Sequence, residues 1–288
     1  MNMLIKRHLL LFFRDKGNVF FSMLAVIIVI MLYIIFLADL MADAIVGEIP
    51  HASAADIRLV ISGLVLSGTV AVATVSSCLS GMTRIIIDRE EKAKDFFSSP
   101  IPRSTLMFSY VISSGIIGFI MSGLALITTV IYLSISGGNF PTLENLILLI
   151  FTLFLGVLSA NSMMFLLTCF IKSRNAFGSL GSIIGTLIGF LTGVYIPIGQ
   201  LPNGVAWIVR LFPTSHTASM FRQLLASPVL NDLGAPTELV TELNYFFGIT
   251  FRFGSFTTNF LFSTLLLLGT SMGCYMTGLS LMRKRTLE

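Results

Sequence analysis

The chain reads as an all-α membrane protein with six transmembrane helices. Three observations predict this class. Hydrophobic residues make up 55% of the 288 and charged residues only 11%, with a mean hydropathy of +0.92; a soluble domain carries roughly 25% charge. Six apolar segments are each long enough to cross a bilayer. The basic residues then divide by the side on which the connecting segments fall. By length the chain could hold two soluble domains, but here length counts spans.

Residues 1–17 place Lys6, Arg7, Arg14, Asp15 and Lys16 around the apolar run Leu9 to Phe13. That run is too short to span, and no small-residue cleavage site follows it, which argues against a secretory signal. It reads as an interfacial helix, with apolar side chains against the headgroups and cations among the phosphates. The spans follow at 19–37, 59–82, 106–133, 146–171, 176–198 and 259–281. The loop after the first span holds Asp39, Asp43, Glu48 and Asp56, and Gly137-Gly138-Asn139 and Pro141 form the turn after the third. Lys172-Ser-Arg-Asn175 is a tight basic turn.

The segment 84–105 is the most charged part of the chain. It holds Arg84, Asp88, Arg89, Glu90, Glu91, Lys92, Lys94, Asp95 and Arg103, between flanks that are almost free of charge. Asp88 to Phe97 reads as a short helix, with acids in its first turn and Lys94 four residues after Glu90. Pro100 and Pro102 stop it. A capped helix of both charge signs ending in Phe96 and Phe97 suits docking on a partner; a solvated turn stiffened by its own ion pairs is the other reading.

Fourteen of the 18 Lys and Arg fall in the N-terminus, the 84–105 loop, the 172–175 turn and the C-terminus; Arg58, Arg210, Arg222 and Arg252 fall on the other side. Both termini and the charged loop are therefore expected in the cytoplasm of a cell-membrane protein.

The fifth segment carries Gly181, Gly185, Gly189 and Gly193 every fourth residue, with Gly178 before them. This bare ridge lets another backbone approach closely, within the subunit, at a subunit seam, or along a conduit. It runs into Tyr195, Pro197 and Pro202, where the helix must break. Residues 203–213, with Trp207 as an interfacial anchor and Pro213 at the end, are too short to cross, and another helix capped at Thr214 or Ser215 follows. These helices re-enter or lie on the outer leaflet. Residues 228–252 read as a polar outer loop within the extracellular region 199–258.

Several functions are disfavoured. No span carries an ionisable group near its centre, which weakens a secondary carrier or an intramembrane enzyme. His8, His51 and His216 lack catalytic partners at a suggestive spacing. There is no phosphate-binding Gly-x-x-x-x-Gly-Lys-Ser/Thr loop, so any ATP is bound by another chain. Cys78, Cys169 and Cys274 lie in apolar segments and show no metal-ligand spacing. The net charge of +4 reflects membrane sidedness, not nucleic acid.

Two stretches then resemble a known family, the ABC type-2 transporter permeases. The stretch Asp88-Arg-Glu-Glu-Lys-Ala-Lys-Asp-Phe-Phe-Ser-Ser-Pro100-Ile is similar to their loop between spans two and three, an acid-rich short helix stopped by Ser-Pro-Ile. Gly193-Val-Tyr-Ile-Pro197-Ile-Gly-Gln-Leu-Pro202, with Phe212-Pro213-Thr, resembles the end of their span five and its re-entrant outer helices. Where many members carry Gly-Thr after the loop's Glu, this chain has Glu91, Lys92 and Ala93. The resemblance implies a coupling helix seated on a cytoplasmic ATP-binding subunit. Glu90, Lys94 and Asp95 would supply ionic contacts with Glu91 beside them, Phe96 and Phe97 the apolar plug, and Pro100 the return angle. It also implies two permeases, as a homo- or heterodimer, above two ATPases that hold the ATP and Mg. Spans one and five would meet across the dimer axis, spans two and five would line the path, and Tyr195, Pro197, Pro202, Trp207 and Pro213 would belong to an outer gate. The chain itself would carry no cofactor and no catalytic residue.

The charge-free spans, with Ser67, Thr69, Thr74, Ser76 and Ser77 in the second, suggest an amphipathic cargo: a drug, an antimicrobial peptide or a lipid-linked molecule. A polysaccharide exporter of the same family is the near alternative, and an ATP-independent scaffold or channel the alternative of another class.

Overall fold

A computed structural model describes residues 1–33, 35, 38, 41, 53–91, 101–171 and 173–285. Among them are eleven α-helices and one small hairpin. The helices are α1 (Asn2–Arg14), α2 (Lys16–Leu32), α3 (Ala54–Glu91), α4 (Arg103–Ile135), α5 (Leu143–Phe170), α6 (Arg174–Leu191), α7 (Asn203–Leu211), α8 (Pro213–Leu225), α9 (Ser227–Asp232), α10 (Thr237–Phe246) and α11 (Phe260–Arg285). The hairpin pairs β1 (Arg252–Phe253) with β2 (Phe256–Thr257).

α3, α4, α5 and α11 are long and apolar enough to cross a membrane. The described part of α2 is one residue short at 17, and α6, with 18, opens on Arg174 and Asn175 and is less apolar, so neither is among the four. The most apolar stretch of α3 is 89% buried, whereas that of α11 is only 17% buried. α3 is therefore the axis of the bundle and α11 lies on its rim. α2, α4, α5, α6 and α8 all pack on α3. Small residues let them come close. A side chain at Gly81 would strike Ser114 of α4, and one at Gly118 would strike the Cys78 sulfur. At such contacts backbone proximity and dispersion hold the helices together, because lipid is as apolar as leucine.

Three boundaries differ from the sequence expectation. Asp88 does not open a separate helix: Asp88, Arg89, Glu90 and Glu91 continue α3, whose internal hydrogen bonds nothing interrupts before Glu91. α6 stops at Leu191, not at 198. The supposed loop 228–252 contains α9, α10 and the start of the hairpin. Lys94, Asp95, Phe96, Phe97 and Pro100 lie outside the described residues.

Candidate functional site

The last turn of α3 presents four successive charged residues at about 100° intervals, so each faces a different direction. Asp88 is 1% exposed. It accepts from Arg7 of α1 at 3.0 Å and from the Tyr110 hydroxyl of α4 at 2.7 Å. Arg84, one turn back, reaches it at 2.6 Å. His8 stacks on Tyr110 with ring centroids 4.2 Å apart, and one ring nitrogen lies 3.3 Å from Ser109 Oγ. Burial and the neighbouring Arg7 push His8 down to about 4, so it is neutral at pH 7.

Arg89 points to α5. Its Nη1 donates to the carbonyls of Ile171 at 3.0 Å and Thr168 at 3.4 Å, two of the acceptors a helix end leaves without partners. Glu90 and Glu91 point to α6. Glu90 accepts from the Arg174 backbone N–H at 2.7 Å, in the first turn of α6, where a carboxylate also complements the helix dipole. Glu91 accepts from Arg174 Nη2 at 2.6 Å. One helical turn thus holds α1, α4, α5 and α6, and the chain leaves it directly into segment 92–100.

The glycine ridge resolves into separate tasks. Gly193 is not on α6; it takes φ +66°. Its N–H donates to Phe190 O at 3.1 Å and the Val194 N–H donates to Gly189 O at 2.9 Å, which is the Schellman stop of a helix. Gly189 makes room for the Tyr195 ring, which folds back over it. Gly181 faces Leu79 of α3, while Gly178 and Gly185 have no neighbour where a side chain would stand. Those two open onto a groove of about 710 Å³ between α2, α3 and α6, whose walls include Phe21, Ile28, Val75, Ser76 and Tyr195.

This division makes a prediction. Gly193→Ala is expected to cost about 2 kcal/mol, from the left-handed backbone and the collision with Ile198. Gly185→Ala is expected to leave the subunit as stable or slightly more so, since alanine favours helix. Melting curves of the two variants in detergent check this; equal losses would contradict it.

Ser67, Thr69, Thr74 and Ser77 are buried inside the bundle, and Thr69 and Thr74 bond to α3's own carbonyls. Of the five hydroxyls that suggested an amphipathic path, only Ser76 reaches the groove.

At the opposite end of α3, Pro197 precedes a single 3₁₀ turn, Ile198–Gln200, Pro202 caps α7 and Pro213 opens α8. At nine and 13 residues, α7 and α8 are too short to cross a membrane. Trp207 is half-exposed, edge-on to Phe253 and beneath Arg210. α8 is almost wholly buried against α3, α5 and α11. Thr217 fits against Gly156 of α5, and His216 bonds Arg210 O at 2.8 Å and Ser263 Oγ at 3.1 Å.

Arg222 of α8, which the sequence reading counted only as an outer cation, is the main addition. It is 1% exposed. Its Nη2 donates to Thr192 O at 2.8 Å and Gly193 O at 3.0 Å, and its Nε to Leu64 O at 3.2 Å. No salt bridge to it is seen among the described residues, and Nη1 has no partner there. Burial lowers its pKa to about 10, so it stays cationic at pH 7. The guanidinium fits because Gly68, Gly193 and Gly248 surround it; a side chain at any of them would approach its nitrogens. Arg222 thereby ties α8 to α3 and to the negative, C-terminal end of α6.

Long apolar helices, with charges at one end of α3 and short helices at the other, are the architecture of a membrane protein. The family model for the ABC-2 type transporter matches residues 1–226, so the chain belongs to that family and is the membrane subunit of an ABC transporter. A comparison with curated proteins finds no match.

Proposed function

We propose that this chain is the permease of an ATP-driven exporter, with six spans and both termini in the cytoplasm of the cell membrane. Residues 92–100 would dock on a separate ATP-binding subunit that holds the ATP and Mg. The observation that carries this is the last turn of α3. Four adjacent side chains tie it to four other helices at the point where the chain enters that segment. A push on 92–100 would be delivered to α1, α4, α5 and α6 together. In this reading Lys94, Asp95, Phe96, Phe97 and Pro100 meet the ATPase. Glu90 and Glu91 pass the movement on through Arg174, while remaining exposed enough to touch the partner as well. Two permeases would face each other, with the α2–α3–α6 groove of each forming half of the path. Gly178 and Gly185 would lie at the seam, and Tyr195, Pro197, Pro202, Trp207 and Pro213 would close its outer end. The groove's mixed wall, apolar side chains with the hydroxyls of Ser76, Ser80, Ser182, Thr186 and Tyr195 among them, suits an amphipathic cargo better than a sugar polymer.

The test is co-purification in mild detergent with the ABC ATPase encoded nearest the gene. Asp95→Ala and Phe96→Ala are expected to lose capture. Glu90→Ala and Arg174→Ala are expected to keep much of the capture but to lose ATPase stimulation by cargo. Failure of the wild type to capture any ATPase would return 84–105 to a solvated connector and favour a scaffold or channel.

A further inference from the structure

A groove of about 440 Å³ runs along α5 between α4 and α11. Those two helices each pack on α5 but hardly on each other, which leaves a gap over this part of α5. The side chains lining the gap are apolar except for two. Ile116 and Phe119 come from α4 and Phe154 and Leu158 from α5; Asn161 of α5 and Tyr275 of α11 supply the polar atoms. No wall is shared with the α2–α3–α6 groove.

The polar pair is incompletely matched. Asn161 is 4% exposed. Its Nδ2 donates to Val111 O at 2.9 Å and to the Tyr275 hydroxyl oxygen at 3.2 Å, so both amide protons are used. The amide cannot sit the other way round, because two carbonyl oxygens would then meet at Val111. Oδ1 is left buried with no partner among the described residues. The Tyr275 hydroxyl accepts from Asn161, and its own proton finds no acceptor among the described residues. Gly115 of α4 makes room for the amide, since a side chain there would come within 3.1 Å of Nδ2. Asn161 stands nine residues before the end of α5, about 14 Å along the helix. Both α5 and α11 are apolar enough to cross a membrane, so this depth is hydrocarbon. Acyl chains carry no donor, and an unmatched acceptor among them is costly.

We propose that this groove binds a lipid-soluble alcohol, a molecule with an apolar body and one hydroxyl group. A hydroxyl both donates and accepts, the two functions this pair lacks. Its proton goes to Asn161 Oδ1, and its oxygen accepts from Tyr275. Nδ2 and Oδ1 share one carbon, so Oδ1 lies no more than about 5.5 Å from the Tyr275 oxygen; one oxygen with two hydrogen bonds of about 2.8 Å spans that gap. The long Tyr275 bond lets the amide turn about its soft terminal torsion and bring Oδ1 to the groove. An ether or ketone would satisfy Tyr275 alone, and an alkane neither group. A phospholipid keeps its headgroup at the interface, so the occupant is a molecule free within the bilayer. Once bound, it ties α4 to α5 and α11. The inference does not depend on the partner ATPase or on the export path, so it and the proposed function can fail separately.

The experiment uses the full chain in phosphatidylcholine nanodiscs, with a dodecanol bearing a photoreactive diazirine as the probe. Labelled residues are mapped by mass spectrometry of the digested chain. Dodecanol, dodecane and dodecyl methyl ether compete at equal mole fraction in the bilayer. Saturable labelling is expected at the groove, among Ile116, Phe119 and Phe154, with dodecanol displacing it about tenfold better than either control. Tyr275→Phe is expected to weaken dodecanol about fivefold. Leu158→Phe, which fills the groove and leaves the polar pair intact, is expected to abolish the saturable label while the melting temperature holds. Equal competition by dodecane overturns the proposal and leaves a groove for acyl chains. Equal competition by the methyl ether overturns the hydroxyl, because Asn161 Oδ1 then takes no proton. Labelling that does not saturate overturns the site and leaves the polar pair to a buried water. A saturable label unchanged in Leu158→Phe overturns the groove as its place.

Discussion

Asp88→Asn is expected to lower the melting temperature of the isolated chain by about 5–10 °C, the equivalent of about 3 kcal/mol. The carboxylate is 1% exposed, while the side chains of Arg7 and Arg84 are 30% and 24% exposed. Burying that charge is costly, and the two cations and the Tyr110 hydroxyl offset the cost. Asparagine keeps the shape and can still accept a hydrogen bond. It removes the negative charge, so Arg7 and Arg84 lose the carboxylate they share. Their partial exposure moderates the penalty, which is why the expected loss lies at the low end of that for a broken buried pair. Adding Arg7→Gln to Asp88→Asn is expected to recover part of the loss, since one of the two neighbouring cations is then gone. Strict additivity in this double-mutant cycle would show that the groups do not interact. Arg174→Ala is the contrast: both partners in the Glu91–Arg174 pair are exposed, so little stability is at stake and the variant reports on transmission instead.

The fold class and the long helices were legible because hydropathy and length are local properties of the chain. The helix ends were less so. Asp88 to Glu91 looks like the start of a new helix because acids favour a first turn. In the structure they continue an old one, and their partners Arg7, Tyr110, Thr168 and Arg174 lie far off in sequence. Only the Arg84–Asp88 pair, at a spacing of four, could have been read beforehand. Periodicity likewise grouped Gly181, Gly185, Gly189 and Gly193 as one ridge. The fourth is required by the backbone of a helix stop and the third by the Tyr195 ring, and neither cause leaves a mark in a four-residue repeat. The serines and threonines of α3 show the same limit. Their residue type suits a polar path, yet most satisfy their hydroxyls within the bundle. The breaks at Pro202 and Pro213 follow from proline, which acts locally, but the helix expected to be capped at Thr214 or Ser215 starts at Pro213 after Phe212, with no side-chain cap. That α8 would lie buried was not evident, because its surroundings are built by α3, α5 and α11.

Arg222→Met is expected to destabilise the outer end of the bundle by about 3 kcal/mol, although it removes a buried cation. Two effects compete. Replacing a buried charge by an apolar group of similar length relieves its desolvation, and where both partners are replaced the exchange is often neutral. Here the partners cannot be replaced. They are the carbonyls of Thr192 and Gly193 at the end of α6 and of Leu64 in α3, and the first two belong to a helix end that supplies no donor of its own. Removing the guanidinium leaves them buried and unmatched, so the loss of charge-assisted hydrogen bonds wins. Arg222→Lys is expected to recover only part of the loss. An ammonium is a point donor and does not reproduce the planar fork that reaches α3 and the α6 stop together. The measurements are melting in detergent and protease cleavage between Gly193 and Gly199, with cleavage expected to quicken in the order wild type, lysine, methionine. A methionine variant that melts with the wild type and resists cleavage equally would show that the three carbonyls find other donors, and that α8 is held by packing alone, as of Thr217 against Gly156.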